Sequence, residues 1–225
     1  MNRFRQLPPA FTRTELLVVL AVLLLLAFLV VPLVNQQLER QRREVCANNL
    51  RLIGAGMLMY AQEHDMHLPT AYENNVRSNR ATWDEAMLNG YVKRRETFHC
   101  PDDRVRRDCS GGPRSYAISG GANTEWTHNW LFGAKLTLPE LARRSEIVMV
   151  TEGWDGNKPH CIGSDWAFVR GRQVVSFHRH LVVGDPRTYS KTTNYLFLDG
   201  HVEWIENPSK ERFAVMFPPL PPGYP

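Results

Sequence analysis

Positions 16–34 run for 19 residues without a charge. A helix rising about 1.5 Å per residue over that run matches the ~30 Å hydrocarbon core of a bilayer. Beyond it the pattern changes from a solid apolar run to a stripe. Val45, Asn49, Leu52, Ile53, Gly56, Met57 and Tyr60 recur at three- and four-residue spacing, while Glu39, Arg40, Arg43, Glu44 and Arg51 fall off that stripe. No Gly or Pro interrupts residues 33–53, so one helix is predicted over residues 12–64, its first half spanning a membrane and its second half lying on a soluble domain. Gly54 and Gly56 lower helicity but admit close packing, and Pro69 follows the predicted end.

Shorter elements follow. Thr82 with Glu85 three residues on is a capping-box pattern that predicts a helix over residues 83–89, with Gly90 in a left-handed C-terminal position. Leu138-Pro139-Glu140-Leu141 reads as a short helix, and residues 147–151 and 173–177 as strands. The clearest hairpin pairs residues 194–198 with 201–205 around a two-residue Asp199-Gly200 loop. The predicted fold class is therefore α+β: a long N-terminal transmembrane helix continuing onto a small antiparallel β-sheet domain. Its divisions are a basic leader (1–10), the membrane helix (11–34), the soluble half of the helix (35–65), the α+β domain (66–217) and a proline-rich tail (218–225) expected to run extended.

Charge changes this picture little. The net charge is +4 and much of the excess flanks the apolar run, with Arg3, Arg5 and Arg13 before it and Arg40, Arg42 and Arg43 after it. Three against three leaves orientation open. No nucleic-acid-binding motif is present, so no such partner is expected. A cleaved secretory signal is the rival reading of the apolar run, but its core is usually about 7–15 residues and ends in a small-x-small site. Here the run is longer and ends in Val-Pro-Leu-Val-Asn, which favours an anchor.

Glu15 is the odd member, a carboxylate on the last turn before the apolar run. The ordinary reading is an acid near a helix N-terminus, favoured by the macrodipole. The alternative is function, because an acid at a membrane edge needs a cationic partner. The surrounding pattern breaks the tie. A basic leader ending at Ala10, then Phe11, then Glu15 and an aliphatic helix with Pro32 near its end resembles the N-terminus of type IV prepilins and type II secretion pseudopilins. The resemblance implies a pilin-like fold, and a prepilin peptidase that cuts between Ala10 and Phe11 and methylates the new amine. It also implies that Glu15 pairs with the Phe11 amine of a neighbouring subunit. Other pilin-like subunits and inner-membrane lipid are then the partners, the N-terminus is cytoplasmic and the C-terminal domain periplasmic, and no enzymatic activity is expected. That family usually carries Gly where this chain has Ala10, so slower cleavage is expected.

A narrower resemblance covers the region after the anchor. Cys46-Ala47-Asn48-Asn49-Leu50-Arg51-Leu52-Ile53-Gly54, Met59-Tyr60, Leu68-Pro69, Phe98-His99-Cys100-Pro101-Asp102, Ser115-Tyr116 and Asp199-Gly200-His201-Val202 are similar to the processing-associated domain of planctomycete prepilin-type proteins. In that family a His precedes the turn Asp with nine residues between. Here His180 has 18 between, which implies an insertion within residues 181–193.

Candidate chemistry is sparse. His178, His180, Asp199, His201 and Glu152 are residue types that hold zinc or manganese, expected near one end of a sheet, but the spacing fixes no third ligand and surface and turn roles are the ordinary reading. Asp185 and Asp199 offer oxygens for calcium without the alternating acids of an EF-hand loop, so no cofactor is assigned. Four cysteines in an oxidising compartment suggest a disulfide, and Cys100 with Cys109, close in sequence, is the expected pair. No C-x-x-C, nucleophile elbow, P-loop or Rossmann glycine pattern occurs. Trp126, Trp130, Trp154 and Trp166 offer aromatic surface for a sugar groove, although aromatics in a small α+β domain are more often core. Two further functions stay in play, an anchored ligand-binding module that never polymerises and an anchored metal hydrolase.

Overall fold

The structure is a computed structural model that describes residues 12–69, 72–73, 81–88, 90–103, 114–119, 136, 141–152, 168–169 and 193–217. The chain divides into two compact units, Met1–Gln41 and Arg42–Pro225. Helix α1, Arg13–Glu63, is a single 51-residue element that runs through the boundary, within one residue of prediction at each end. Its C-terminus is closed by left-handed residues rather than glycine. Asp65 (φ 52°) and Met66 (φ 63°) turn the chain, and the Met66 amide donates back to the Ala61 carbonyl at 2.8 Å.

In the first unit the apolar side chains of α1 are exposed on every side, from Leu16 to Val34. The helix here is long and apolar enough to cross a membrane. Pro32 sits inside it, where it removes one backbone donor without ending the helix.

The second unit is built on the rest of α1. Cys46, Leu50, Ile53, Met57 and Ala61, spaced at three or four residues, are fully buried. The buried face is therefore rotated from the predicted stripe: Ile53, Gly56 and Met57 belong to it, but Val45 and Leu52 are half exposed. Close approach selects the face. A Cβ at Gly54 would lie 2.7 Å from Leu196 Cδ1, and one at Gly56 would lie 2.8 Å from Val92 Cγ2, so neighbours pack against helix backbone here.

A five-stranded sheet faces this helix. Its strands are β3 (Tyr116–Ser119), β4 (Val148–Glu152), β5 (Phe168–Val169), β6 (Thr193–Phe197) and β7 (Val202–Ile205), in the order β5-β3-β4-β6-β7. The four strands β3, β4, β6 and β7 pair antiparallel, as predicted, while β5 joins the edge parallel to β3. A separate two-stranded ribbon, β1 (Tyr72–Glu73) with β2 (Ala81–Thr82), leads into α2 (Trp83–Leu88), and a 3₁₀ turn covers Arg95–Phe98. Gly90 does not take the predicted left-handed conformation. Helix α2 ends instead with the Tyr91 and Val92 amides both donating to the Met87 carbonyl.

Both faces of the sheet are covered. Tyr116, Ile118, Leu196 and Leu198 join the buried face of α1 in one apolar cluster. Ala117, Val148, Tyr195, Phe197 and Ile205 form another with Phe213, Met216 and Phe217 at helix α3, Lys210–Met216. A register shift between Val148 and Val150 interrupts the alternation in β4, so Met149 and Val150 both serve the α1 side. Helix α3 was not predicted, although Ser209 caps it by accepting from the Arg212 amide at 3.2 Å and the apolar positions 213, 216 and 217 lie on one face.

The β6–β7 hairpin closes one residue wider than predicted. Phe197 faces His201, the Phe197 amide donates to the His201 carbonyl, and the Gly200 amide donates to the Phe197 carbonyl, both at 2.9 Å. The loop is thus Leu198-Asp199-Gly200, a three-residue type with glycine in the left-handed position at φ 90°.

Candidate functional site

Among the described residues two places concentrate chemistry, one in each unit. At the start of α1, Thr12 and Glu15 form a reciprocal cap. The Thr12 amide and hydroxyl each donate to Glu15 Oε2 at 2.8 Å, and the Glu15 amide donates to Thr12 Oγ1 at 3.3 Å. This is a capping box, which satisfies free amides of the first turn and fixes the carboxylate beside the helix start. The Thr-x-x-Glu spacing carries that signal in the sequence. Glu15 Oε1 has no partner among the described residues. Ala10 and Phe11, the predicted processing site, lie outside the described residues.

The other place lies under the sheet in the second unit. Cys46 on α1 is bonded to Cys100, with Cα atoms 5.3 Å apart. Cys100 is therefore not paired with Cys109 as predicted, and Cys109 itself lies outside the described residues. Sequence proximity favours a short ring, whereas the tertiary fold brings α1 to the segment that follows the 3₁₀ turn. Closing a loop across a separation of 54 residues removes unfolded-state entropy worth about 4 kcal/mol in the chain-entropy account.

Glu152, at the end of β4, is fully buried beside this disulfide, and its carboxylate and the two sulfur atoms all lie within 4.8 Å of one another. The carboxylate is held by strand β6. Thr193 Oγ1 donates to Oε2 at 2.7 Å and Asn194 Nδ2 donates to Oε1 at 3.1 Å. Tyr116 closes the site from β3, its hydroxyl donating to the Cys46 carbonyl at 3.4 Å, and burial, then the Glu152 charge, push that phenol well above its usual range. Asn49 ties α1 to the same corner by donating to the His99 carbonyl at 3.2 Å. Burial and Glu152 likewise raise Tyr195 on the adjacent strand.

Around this core are ion pairs that fix the chain after α2. Asp84, buried, receives Arg95 and Arg114, and Arg114 also stands over the Trp83 ring. Asp102 pairs with Arg42 on α1 at 3.5 Å, and Asp103 accepts from Ser115 Oγ at 2.8 Å. These contacts tie α1 and the segment after α2 to the chain that leads into β3.

Of the predicted metal-ligating set, the members among the described residues, Glu152, Asp199 and His201, do not come together in one place. Asp199 and His201 do meet, His201 Nδ1 lying 2.5 Å from Asp199 Oδ1 with the ring stacked on Phe197. But they occupy the turn after β6, whereas Glu152 bonds to residues at its start. A strand of that length separates the two groups by roughly 16 Å. His178, His180 and Asp185 lie outside the described residues, as do Cys161, the predicted strand at 173–177, the four tryptophans of the sugar-groove reading and the proline-rich tail. Sequence reasoning did single out Glu152 and the cysteines, but in different company; their convergence depends on β4, α1 and the post-turn segment meeting in space.

No protein-family model, curated protein or solved structure matches this chain.

Proposed function

We propose that the chain is a structural, pseudopilin-like subunit, anchored by α1 in the inner membrane with its N-terminus cytoplasmic and its sheet domain periplasmic, and assembled into a type II secretion pseudopilus or type IV pilus-like filament. The observation that carries this reading is the start of α1. One uninterrupted helix begins with a capped carboxylate, continues into an apolar run exposed on every side, and ends buried within a folded domain. An apolar run of that kind requires lipid or other helices around it.

Glu15 supplies the selectivity. Cleavage before Phe11 would leave an α-amino cation about one helical turn away, and in an apolar surround a carboxylate strongly favours a neighbour that brings a cation. The capping box engages Oε2 and leaves Oε1 for that contact. Prepilin peptidase and other pilin-like subunits are the partners on this reading.

The test is intact mass and N-terminal sequencing of protein from membranes that contain the cognate peptidase, together with Glu15→Leu. The expected result is a chain starting at N-methylated Phe11, and a variant that keeps a folded domain but loses incorporation into filaments. An intact Met1 with unchanged behaviour of Glu15→Leu would replace this reading with a single-pass anchor displaying a binding domain.

A further inference from the structure

We propose that Cys46, Cys100 and Glu152 form a site for a thiophilic divalent cation of the zinc class, closed to metal while the disulfide is intact and opened when it is reduced. The argument starts from the company that Glu152 keeps. A disulfide is neutral and apolar and gives a carboxylate nothing, yet the Glu152 side chain is fully buried within 4.8 Å of both sulfur atoms.

Reduction converts that neighbourhood into a donor set. A phosphine or dithiol supplies two electrons, the S–S bond breaks, and two thiols form with two protons taken up. A divalent cation then displaces both protons to solvent and is held by two thiolates and one carboxylate oxygen, with a water molecule as the fourth ligand. With Glu152 as carboxylate, the disulfide state buries one negative charge. The metal state holds three negative charges against two positive ones, so it buries the same net charge, and occupation adds no unbalanced charge to the interior. The S₂O donors suit zinc, cobalt or cadmium, whereas calcium and magnesium take oxygen ligands alone.

Geometry permits the change. In a tetrahedral site two thiolates bound at ~2.3 Å stand roughly 3.8 Å apart. The three donor groups already lie within 4.8 Å of one another, so the sulfurs need to spread and the carboxylate oxygen to close in to about 3.5 Å from each, both shifts of roughly 1–2 Å. The carboxylate is oriented in advance by Thr193 and Asn194. A carboxylate has about four lone-pair sites, so a metal bond and both hydrogen bonds coexist on it.

The experiment uses the full-length chain in detergent micelles, reduced with a phosphine under anaerobic conditions and titrated with Co²⁺. The expected result is one Co²⁺ per chain, with thiolate-to-cobalt charge transfer in the near ultraviolet and intense visible bands of four-coordinate cobalt. Oxidised protein should give neither. Cys46→Ser should abolish the spectrum, Glu152→Gln should shift the visible bands and weaken binding at least ~10-fold, and Cys109→Ser with Cys161→Ser should change nothing. Should reduction loosen the domain, Zn²⁺ is expected to restore its circular dichroism and raise its melting temperature. A folded reduced chain that binds no cobalt, a spectrum that survives Cys46→Ser or ignores Glu152→Gln, or an unfolded reduced chain that Zn²⁺ fails to restore would each overturn the proposal.

Discussion

The two stretches of α1 belong to one helix and live in opposite surroundings. Along residues 16–34 every large side chain is exposed, Phe28 at 77 %, whereas Leu50, Ile53 and Met57 in the later stretch are at 0 %. Local propensity does not separate them, since both are rich in good helix formers. What separates them is where small residues stand. The first stretch carries aliphatic bulk all round and has no glycine, while the second brings Gly54 and Gly56 against Leu196 and Val92 and so lets neighbouring chain approach the backbone. Uniform apolarity makes a helix for lipid; a stripe interrupted by small residues makes one for a protein core.

The sharpest way to test this difference is to remove the same side chain from each stretch. Leu50→Ala empties space in a packed cluster and should destabilise the domain by about 2–5 kcal/mol. Leu24→Ala should leave domain unfolding within ~0.5 kcal/mol of the parent, because its side chain is exposed. Denaturant unfolding in micelles, followed by tryptophan fluorescence, reads both. Equal effects would abolish the distinction.

Glycine offers a smaller contrast within the second unit. Gly54→Leu forces a side chain into Leu196 and should cost about 1–3 kcal/mol, whereas Gly90→Ala meets nothing within 4 Å and takes no left-handed backbone. The second substitution should be neutral or gain a few tenths of a kcal/mol through the unfolded state. A melting temperature lowered by Gly90→Ala as much as by Gly54→Leu would contradict the packing described.

The smallest expected effect is on titration near the end of α1. Tyr91 donates to Glu63 Oε2 at 2.6 Å, and that bond, then burial and the Glu63 charge, pushes the phenol up to about 12. The folded value exceeds the ordinary value of ~10, so the contribution of this contact is complete below pH ~10 and is lost as pH rises through 12. In Glu63→Gln one tyrosine should ionise earlier in an ultraviolet titration, with unfolding at neutral pH nearly unchanged. An unaltered titration curve would show that the bond does not form.

Much of the fold is legible in the sequence where the signal is local. The ends of α1, the α2 start after Thr82, the buried β4 and the hairpin all follow from periodicity, caps and turn residues. The errors share a physical cause. Val45 and Leu52 continue the apolar spacing but point away from the sheet, because the face is chosen by what packs against Gly54. Asp199-Gly200 signals a turn but not its length; one further residue, Leu198, enters the loop while its amide bonds to the Ile147 carbonyl. The capping role of Glu15 was readable from Thr12, three residues before it. The pairing of Cys46 with Cys100 was not, since it depends on tertiary contacts between segments that no spacing rule connects.

The Cys46–Cys100 bond also sets how the chain bears load. A molecule pulled at its N-terminus and held at its C-terminus transmits tension along α1 to Cys46, across the sulfur bridge and onward from Cys100. Residues 47–99 then sit in a slack loop off the line of force, together with the ribbon, α2 and the 3₁₀ turn. At ~3.5 Å per residue the bridge hides roughly 190 Å of contour length that only reduction releases.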